Sequence, residues 1–316
     1  MKIAICGVWH VHAPEYLNTA REYGEIVGAW EADEKRRADF CNTHGVKEFK
    51  SLDDLLASDA EAVIVCASTD THAELMIKLA EAKKDIFTEK VITLTDEDAI
   101  AVANAIEKNG VRFCISLIWK YRSGPRTVKA VVESGELGKI NYVRFRNCHS
   151  GSTLGWLPAH FYNAKECGGG AMIDLGAHGM YLCEWICGMP HTFSSAFTNS
   201  CSLKAAQDIN PDKVEDNAVT LMSCDNGCIA INETGFVSNH YPVSFEVGGE
   251  SGYVRWTEGV GTVKCTDATE GKTLTLCDEP ELPSPLVQFL TKDHLEGCGI
   301  EDALKLTHMM VEAYKK

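Results

Sequence analysis

Apolar and polar residues alternate regularly along the first 120 residues, and the pattern predicts strands interleaved with helices. Short apolar runs, which are typical of buried strands, lie at 2–6, 25–30, 62–66, 85–87 and 111–117. Between them apolar residues recur at helical spacing, and Asp33 and Thr95 stand where N-caps are expected. Strands that alternate with helices predict a doubly wound parallel sheet, which binds its ligands at the carboxyl ends of its strands.

After residue 120 the pattern predicts a second domain of a different kind. Helices are expected at 123–134, 171–187, 286–295 and 301–314, and strands at 140–147 and over most of 190–276. Strands that follow one another without intervening helices indicate a largely antiparallel sheet. The expected architecture is α/β, with a Rossmann domain over 1–120 and an α+β domain over 121–316.

The balance of charges narrows the range of partners. The chain of 316 residues carries 30 Lys and Arg against 45 Asp and Glu, a net charge of −15. A surface this acidic repels phosphate backbones and anionic lipids, so neither a nucleic acid nor a membrane is an expected partner. No apolar run approaches the roughly 18 residues that span a bilayer, and the N-terminal apolar stretch is too short for a secretory signal. We therefore expect a cytoplasmic protein.

The 14 cysteines lie largely within apolar patterns, as is typical of reduced, buried thiols. Cys183 and Cys187 are four positions apart, and so are Cys224 and Cys228. This spacing fits neither a zinc ribbon nor a thioredoxin motif, so the cysteines predict no metal site.

The loop after the first predicted strand lies where a dinucleotide-binding loop is expected. Gly7 is suited to the tight turn, and the helix that follows would face a pyrophosphate. Trp9 and His12 replace the second and third glycines of the G-x-G-x-x-G pattern, so a loop that binds nothing is the alternative. The candidate cofactor contacts here are Gly7, Trp9, His10 and Val11. His10 and His12 also form an H-x-H pair, but the sequence shows no third ligand nearby, and no metal site is predicted.

Glu31 ends the second predicted strand, 24 residues after Gly7. A carboxylate at this position accepts hydrogen bonds from the ribose hydroxyls and repels a 2′-phosphate, which favours NAD over NADP. The alternative is a solvated charge at the start of a loop. Lys35, Arg36 and Arg37 follow closely and could accommodate a phosphate, so the preference for NAD is moderate.

Two further strand ends carry candidate residues. Ser68, Thr69 and His72 follow the third strand, where small polar residues let the chain approach a cofactor, although capping of the next helix also explains them. Glu89 and Lys90 follow the fourth strand. The Lys90 ammonium could hydrogen-bond a substrate hydroxyl and lower its pKa. The alternative is a surface lysine paired with Glu89.

The segment from Gly168 to His178 joins three glycines to a strongly apolar helix. Asp174 and His178 are four positions apart and are expected on one face of that helix. An imidazole held by a carboxylate in apolar surroundings suits general acid and base chemistry near neutral pH. The alternative is a buried Asp–His pair that only stabilises the fold.

Taken in chain order, these features resemble the Gfo/Idh/MocA family of sugar and cyclitol oxidoreductases. The resemblance rests on Gly7, Glu31, His72, Glu89–Lys90, the segment 134–139 and the signature from Gly168 to His178. It implies that the first domain binds NAD(P) and that Lys90, Asp174 and His178 are the active-site residues. It further implies homodimers or homotetramers, formed through the exposed face of the second-domain sheet.

Other positions match the family or depart from it. Lys120 and Tyr121 match an Arg–aromatic pair of the family, and Trp156 matches an aromatic residue before the glycines. Three residues depart from the pattern: Val91 stands for Pro after the lysine, Trp9 for Gly, and Tyr181 for Asp. The loss of that Asp indicates an unusual substrate or a changed acid–base arrangement.

We therefore expect an NAD-dependent oxidoreductase that acts on a secondary hydroxyl of a sugar, glycoside or cyclitol. His178 would take the hydroxyl proton, Lys90 would polarise the same oxygen, and Asp174 would orient the imidazole. The aromatic rings expected to stack on the substrate are Tyr121, Trp156 and Tyr162. Two alternatives remain open: a redox-neutral lyase, glycosidase or epimerase that oxidises its substrate transiently, and a non-catalytic dinucleotide sensor.

Overall fold

The computed structural model describes residues 1–266, 272–291 and 297–315. The chain divides into two compact units, one of Met1–Leu117 with Pro283–Thr307 and one of Ile118–Leu282 with His308–Lys316. The predicted boundary at residue 120 lies close to the observed one. The predicted assignment of all of 121–316 to the second domain differs from the structure, which groups Pro283–Thr307 with the first unit.

The strands confirm the predicted α/β class. They are β1 (Lys2–Cys6), β2 (Glu25–Trp30), β3 (Ala62–Val65), β4 (Asp85–Thr88), β5 (Phe113–Ile115), β6 (Ile140–Cys148), β7 (Pro190–Thr198), β8 (Asn217–Cys224), β9 (Ile229–Gly235), β10 (Ser244–Gly249), β11 (Gly252–Thr257), β12 (Gly261–Cys265) and β13 (Leu274–Thr275). β1 to β5 form a parallel sheet in the order β2-β1-β3-β4-β5. The other strands form a second sheet in the order β13-β12-β11-β10-β6-β9-β8-β7, in which β6 and β9 pair in parallel and the other described pairs are antiparallel.

The helices cover the remaining regular structure. They are α1 (Ala13–Tyr23), α2 (Glu34–His44), α3 (Leu52–Leu56), α4 (His72–Glu81), α5 (Asp96–Asn109), α6 (Ser123–Glu133), α7 (Gly151–Leu154), α8 (Ala164–Cys167), α9 (Ala177–Cys187), α10 (Lys204–Asp208), α11 (Pro285–Thr291) and α12 (Ile300–Tyr314). Short 3₁₀ turns lie at Thr69–Thr71, Ile118–Lys120 and Ala159–Tyr162, and a π-helical turn at Met172–Gly176. Among the helices in the described ranges, none has both the length and the apolar character that crossing a bilayer requires.

Side-chain caps fix the ends of helices in the first unit as predicted. The Asp33 carboxylate accepts the Arg36 N–H at 2.7 Å, and the Thr95 hydroxyl accepts the Asp98 N–H at 3.1 Å. The sequence prediction missed α3, although Ser51 and Asp54 form a capping box at its start. Caps of this kind typically contribute about 1 kcal/mol each, so they define where the site-bearing loops end.

The return of the chain to the first unit has a packing cause. α11 packs on α1 and β5, and the Phe289 ring lies 6.0 Å from the Phe87 ring of β4. Arg112 Nη2 donates a hydrogen bond to the Phe289 carbonyl at 2.8 Å. Hydrophobic periodicity predicts a helix here but does not say which sheet the helix covers, which explains the missed assignment. The predicted end of this helix at 295 lies outside the described residues.

Candidate active site

The loop between β1 and α1 makes a tight turn at Gly7. Gly7 has φ +83°, and a Cβ atom there would lie 2.4 Å from the Ala67 backbone. The Gly7 N–H donates to the Trp30 carbonyl at 2.7 Å, and the His10 N–H donates to the Cys66 carbonyl at 2.9 Å. The loop is thus held to the ends of β2 and β3, and a glycine is required at its start. Trp9 and His10 are buried, whereas Val11 is exposed.

Glu31 is buried at the end of β2 and joins two loops. Its carboxylate accepts the Val8 N–H at 2.8 Å and the Asp33 N–H at 3.1 Å. Because an ionised carboxylate can accept about four hydrogen bonds, these two leave capacity for ribose hydroxyls. The alternative of a solvated surface charge does not describe this residue, since its side chain is enclosed.

The basic residues that follow Glu31 have different environments. Arg37 is buried, where its guanidinium donates to the Glu31 carbonyl at 2.7 Å and to the Glu48 carboxylate at 2.8 Å. Its guanidinium therefore serves to bind Glu31 and Glu48 within the first unit. Lys35 and Arg36 line a cavity of about 420 Å³ that Val8 and Asp33 also border. Arg36 Nη2 lies 3.4 Å from the Glu31 carboxylate, so it partly balances that charge.

Glu89, directly after β4, is the centre of a buried polar cluster. The exposed fraction of Glu89 is 2%. Its Oε1 atom lies 2.8 Å from His12 Nδ1 and 3.7 Å from His10 Nδ1, and it accepts the Tyr16 hydroxyl proton. Its Oε2 atom accepts the Lys90 N–H at 3.1 Å. Burial opposes ionisation of this carboxyl, but the charges of its His10, His12 and Lys90 neighbours hold its pKa well below the usual range.

This cluster corrects one inference from the sequence. Glu89 lies close to both His10 and His12, although no third potential ligand is near them along the chain. The Tyr16 hydroxyl extends the cluster to Ser116, whose Oγ atom lies 2.8 Å away. Tyr16 was not predicted. The residue has the α1 periodicity of a core position, so its sequence pattern gave no sign of a polar role.

His72 links the loops that follow β3 and β4. Its exposed fraction is 1%, and its ring nitrogens lie 3.0 Å from the Ala67 carbonyl and 3.1 Å from the Val91 carbonyl. Burial lowers the pKa of His72, although these hydrogen bonds act in the opposite direction. Both ring nitrogens face backbone carbonyls, so His72 joins the two loops, and its predicted contact with a cofactor stays a prediction.

The predicted contacts at Ser68, Thr69 and Lys90 lie at strand ends of the same sheet. The Ser68 hydroxyl donates to Asp70 at 2.6 Å, and Thr69 begins the 3₁₀ turn that precedes α4. Ser68 makes no side-chain cap to this turn, so the predicted cofactor contacts of these two residues stay predictions. Lys90 is buried, and the Lys90–Val91 peptide bond is cis.

In the second unit, His178 lies in the first turn of α9. The expected single helix over 171–187 instead begins with the π turn that contains Asp174. A π turn holds one residue more than an α turn. The four-residue spacing from Asp174 to His178 therefore does not put the two side chains on one face, as it would in an α-helix. Asp174 is half-buried and its N–H donates to the Gly170 carbonyl at 3.1 Å.

Tyr181 is the functional candidate that sequence reasoning treated only as a departure. Its Oη atom lies 2.9 Å from His178 Nδ1 and accepts the Trp119 N–H at 3.1 Å. The Trp119 ring also meets the His178 ring edge-on, with centroids 6.3 Å apart. The His178 imidazole is therefore oriented by a buried hydroxyl. The three-residue spacing within one helix was the signal that could have identified this pair.

The predicted substrate contacts divide into buried and exposed residues. Lys120 is buried, with its Nζ atom 5.9 Å from the Tyr181 ring centroid, and Tyr121 is buried as well. Tyr162 is 1% exposed, and its hydroxyl lies 2.5 Å from Ser152 Oγ. Trp156 is 53% exposed, with its ring centroid 4.6 Å from that of His149.

These environments change what the aromatic residues can do. The Tyr162 ring packs edge-on to Phe236 in the core, so the prediction that it stacks on a sugar is wrong. The exposed Trp156 ring keeps a face for a ligand. His149, which stacks on Phe236 with centroids 4.9 Å apart, supports that ring and was not predicted.

Two family models match the chain. Residues 1–117 match "Oxidoreductase family, NAD-binding Rossmann fold", and residues 126–255 match "GFO/IDH/MocA C-terminal domain". Among curated proteins, the scyllo-inositol 2-dehydrogenase (NAD(+)) of Bacillus subtilis is 26% identical over 61% of this chain and 54% of its own length. The 1,5-anhydro-D-fructose reductase of Ensifer adhaerens is 24% identical over 82% and 77%. The aligned region spans about half the length of the first curated relatives.

Solved structures share the whole fold. The aldose-aldose oxidoreductase from Caulobacter crescentus, complexed with glycerol, has a TM-score of 0.80 at 16% identity and covers 99% of this chain and 96% of its own. GenD2 from gentamicin A biosynthesis, in complex with NAD, has a TM-score of 0.78 at 23% identity and covers 99% and 93%. At these identities the likeness concerns the fold alone.

Proposed function

Because the chain belongs to the GFO/IDH/MocA family of oxidoreductases, we propose that it transfers hydride between NAD and a secondary hydroxyl of a sugar, glycoside or cyclitol. The observation that carries the proposal is the buried His178 imidazole, whose Nδ1 atom is bonded to the Tyr181 hydroxyl. The inositol dehydrogenase and anhydro-sugar reductase among the relatives support a polyol or sugar as substrate.

The first unit has the features that a bound dinucleotide needs. The turn at Gly7 brings the start of α1 close to the ends of β1 and β3, which is the position for a pyrophosphate. The Glu31 carboxylate has acceptor capacity for the ribose hydroxyls, and its charge disfavours a 2′-phosphate, which supports NAD over NADP. When bound, NAD supplies the group that accepts or returns the hydride.

His178 is the proposed general base. If Nδ1 donates to the Tyr181 oxygen, Nε2 is the unprotonated nitrogen and so takes the proton from the substrate hydroxyl. Tyr181 then fixes both the tautomer and the plane of the ring, as the third member of a catalytic triad does. Asp174, in the half-buried π turn, assists the charged imidazole.

Lys90 is proposed to donate a hydrogen bond to a hydroxyl oxygen of the substrate. Its ammonium would stabilise the negative charge that develops there as the proton leaves. The Lys90 backbone N–H is bonded to the Glu89 carboxylate, which fixes the chain where the lysine side chain begins. The exposed Trp156 ring remains the proposed contact for the apolar face of a sugar, whereas Tyr121 is buried, as Tyr162 is.

The test is a screen for NADH formation with NAD and a panel of cyclitols, sugars and glycosides. We expect His178→Ala to lower kcat by about 10²- to 10⁴-fold, with NAD affinity measured by fluorescence unchanged. Turnover by His178→Ala at the wild-type rate would refute the assigned base. Redox-neutral products without NADH release would support transient oxidation instead, and NAD binding without turnover on any substrate would support a sensor.

We also propose that the second-unit sheet forms a homodimer or homotetramer interface. One face of the sheet carries the exposed apolar side chains of Leu221, Ile229 and Tyr253. Apolar groups on an open sheet face are typical of an association surface. Light scattering after gel filtration should give two or four times the chain mass of 34.6 kDa, and a monomer would contradict the proposal.

A further inference from the structure

Two imidazoles and a carboxylate converge in the first unit in a way that cofactor binding alone does not require. One potential ligand atom from each of His10, His12 and Glu89 lies within 4.8 Å of the other two. The His12–Glu89 distance is 2.8 Å and the His10–Glu89 distance is 3.7 Å. We propose that these three residues bind one divalent transition-metal ion of the zinc type.

The distances suit such an ion. Zinc binds imidazole nitrogen and carboxylate oxygen at about 2.1 Å, so ligand atoms in a tetrahedral site are about 3.4 Å apart. The two measured separations from Glu89 lie on either side of this value. The three ligand atoms lie within 4.8 Å of one another, so side-chain rotations that shorten the longest separation would bring them to ligand positions.

A backbone contact keeps the two histidines together. His10 Nδ1 accepts the His12 N–H at 3.3 Å, near the upper limit of hydrogen-bond length. His10, His12 and Glu89 therefore form one compact group at the start of α1.

Hydrogen bonds around the cluster support Glu89 as a ligand. The Tyr16 hydroxyl and the Lys90 N–H both donate to its carboxylate, and Ser116 lies 2.8 Å from that tyrosine oxygen. Carboxylate ligands in metal sites are held by such outer partners. The His12 side chain is 36% exposed while that of Glu89 is 2% exposed, so the ion has an entry path and room for a water ligand.

The donor set selects the class of metal. Two imidazoles with one carboxylate favour Zn²⁺, Co²⁺ or Fe²⁺ over Mg²⁺ or Ca²⁺, which prefer oxygen ligands.

The test titrates Co²⁺ into chelator-treated protein without NAD or substrate, and follows the visible absorption of the metal. We expect one equivalent to bind with ligand-field bands of nitrogen and oxygen donors, without the intense thiolate charge-transfer band that the 14 cysteines would give. Zn²⁺ should displace the signal. Failure of the wild-type protein to bind Co²⁺, or a thiolate spectrum, would overturn the proposal.

Variants locate the site. His12→Ala should raise the Kd for Co²⁺ by at least about 10-fold, and circular dichroism should confirm its fold, because the variant also removes the contact of His12 with Glu89. Glu89→Gln, which keeps the shape of the carboxylate, should have a similar effect. His191→Ala removes an exposed histidine beside Asp225 and should leave the Kd unchanged. Wild-type affinity in both His12→Ala and Glu89→Gln would refute the assignment.

Discussion

In the first unit the candidate polar side chains come from the ends of parallel strands, whereas in the second unit His178 comes from a helix. Glu31 follows β2 and Glu89 follows β4, and backbone N–H groups bond to both carboxylates. His178 is oriented by Tyr181, three residues along the same helix. The first arrangement depends on the order of strands in a sheet, and the second on contacts within one short segment. Changes at the strand ends should therefore disturb folding and cofactor affinity, while changes around His178 should disturb turnover.

The largest expected effect on stability is at Gly7. An alanine there would place Cβ 2.4 Å from the Ala67 backbone at a positive φ, so we expect Gly7→Ala to lower the free energy of unfolding by about 2–5 kcal/mol. Gly155→Ala is the matched control, because Gly155 has φ +68° but a Cβ added there would meet nothing within 4 Å. It should cost about 1–2 kcal/mol. Urea unfolding measures both, and equal losses would show that the close approach at Gly7 does not matter.

A substitution beside His178 in the second unit should lower kcat. Tyr181→Phe removes the oxygen that meets His178 Nδ1 and the Trp119 N–H, so we expect kcat to fall about 10-fold, the equivalent of one lost hydrogen bond, with KM little changed. Tyr162→Phe removes a hydroxyl that bonds Ser152 in the core and should leave kcat within about twofold. Steady-state kinetics would separate the two, and an unchanged kcat in Tyr181→Phe would remove Tyr181 from the site.

Cofactor preference should respond to the charge of Glu31. The Val8 and Asp33 N–H groups bond to different oxygens of Glu31, so Glu31→Gln keeps an acceptor for one of them and removes the charge that repels a 2′-phosphate. We expect the ratio of NADP to NAD affinity to rise about 10-fold, as the loss of one charge-assisted hydrogen bond allows. Glu34→Gln changes an exposed carboxylate on α2 and serves as control. Fluorescence titration with both cofactors should show no change in that control.

The smallest effect concerns the pH dependence of stability. Burial lowers the pKa of His72 in the folded protein, whereas the unfolded chain titrates near about 6.5. The unfolded state therefore binds the proton more readily, and stability falls as pH drops below that value. His72→Gln should show a smaller fall than the wild type between about pH 7.5 and 5.5 in urea unfolding. An identical fall in both proteins would contradict this role.

The strand ends could be predicted from sequence because apolar runs mark where each strand stops. Glu31 and Glu89 were found in this way, and the structure gives both a buried polar environment. The meeting of His12 with Glu89, 77 residues apart, could not be predicted, since it depends on the order β1-β3-β4 in the sheet. The contact of Cys187 with Cys224, whose sulfur atoms lie 3.2 Å apart, could not be predicted either, because it depends on how α9 packs against β8.

The helix of the second unit was harder to predict in detail. Its apolar pattern was recognised, but the π turn at Met172–Gly176 was not. Asn232 Nδ2 donates to the Gly176 carbonyl at 2.7 Å, so a side chain from β9 satisfies a carbonyl at this turn. Such a long-range contact leaves no periodic signal near Asp174. The sequence prediction therefore assumed α-helical spacing between Asp174 and His178.

Transfer of deuterium from the substrate carbon to the nicotinamide tests the central proposal most directly. A cyclitol or sugar that gives turnover would be prepared with deuterium on the carbon that bears the reacting hydroxyl, and the released cofactor would be analysed by mass spectrometry. We predict NADH that carries one deuterium from the wild-type protein and at least about 100-fold slower formation of it by His178→Ala. Reduced cofactor without deuterium, or equal rates for the two proteins, would contradict the account.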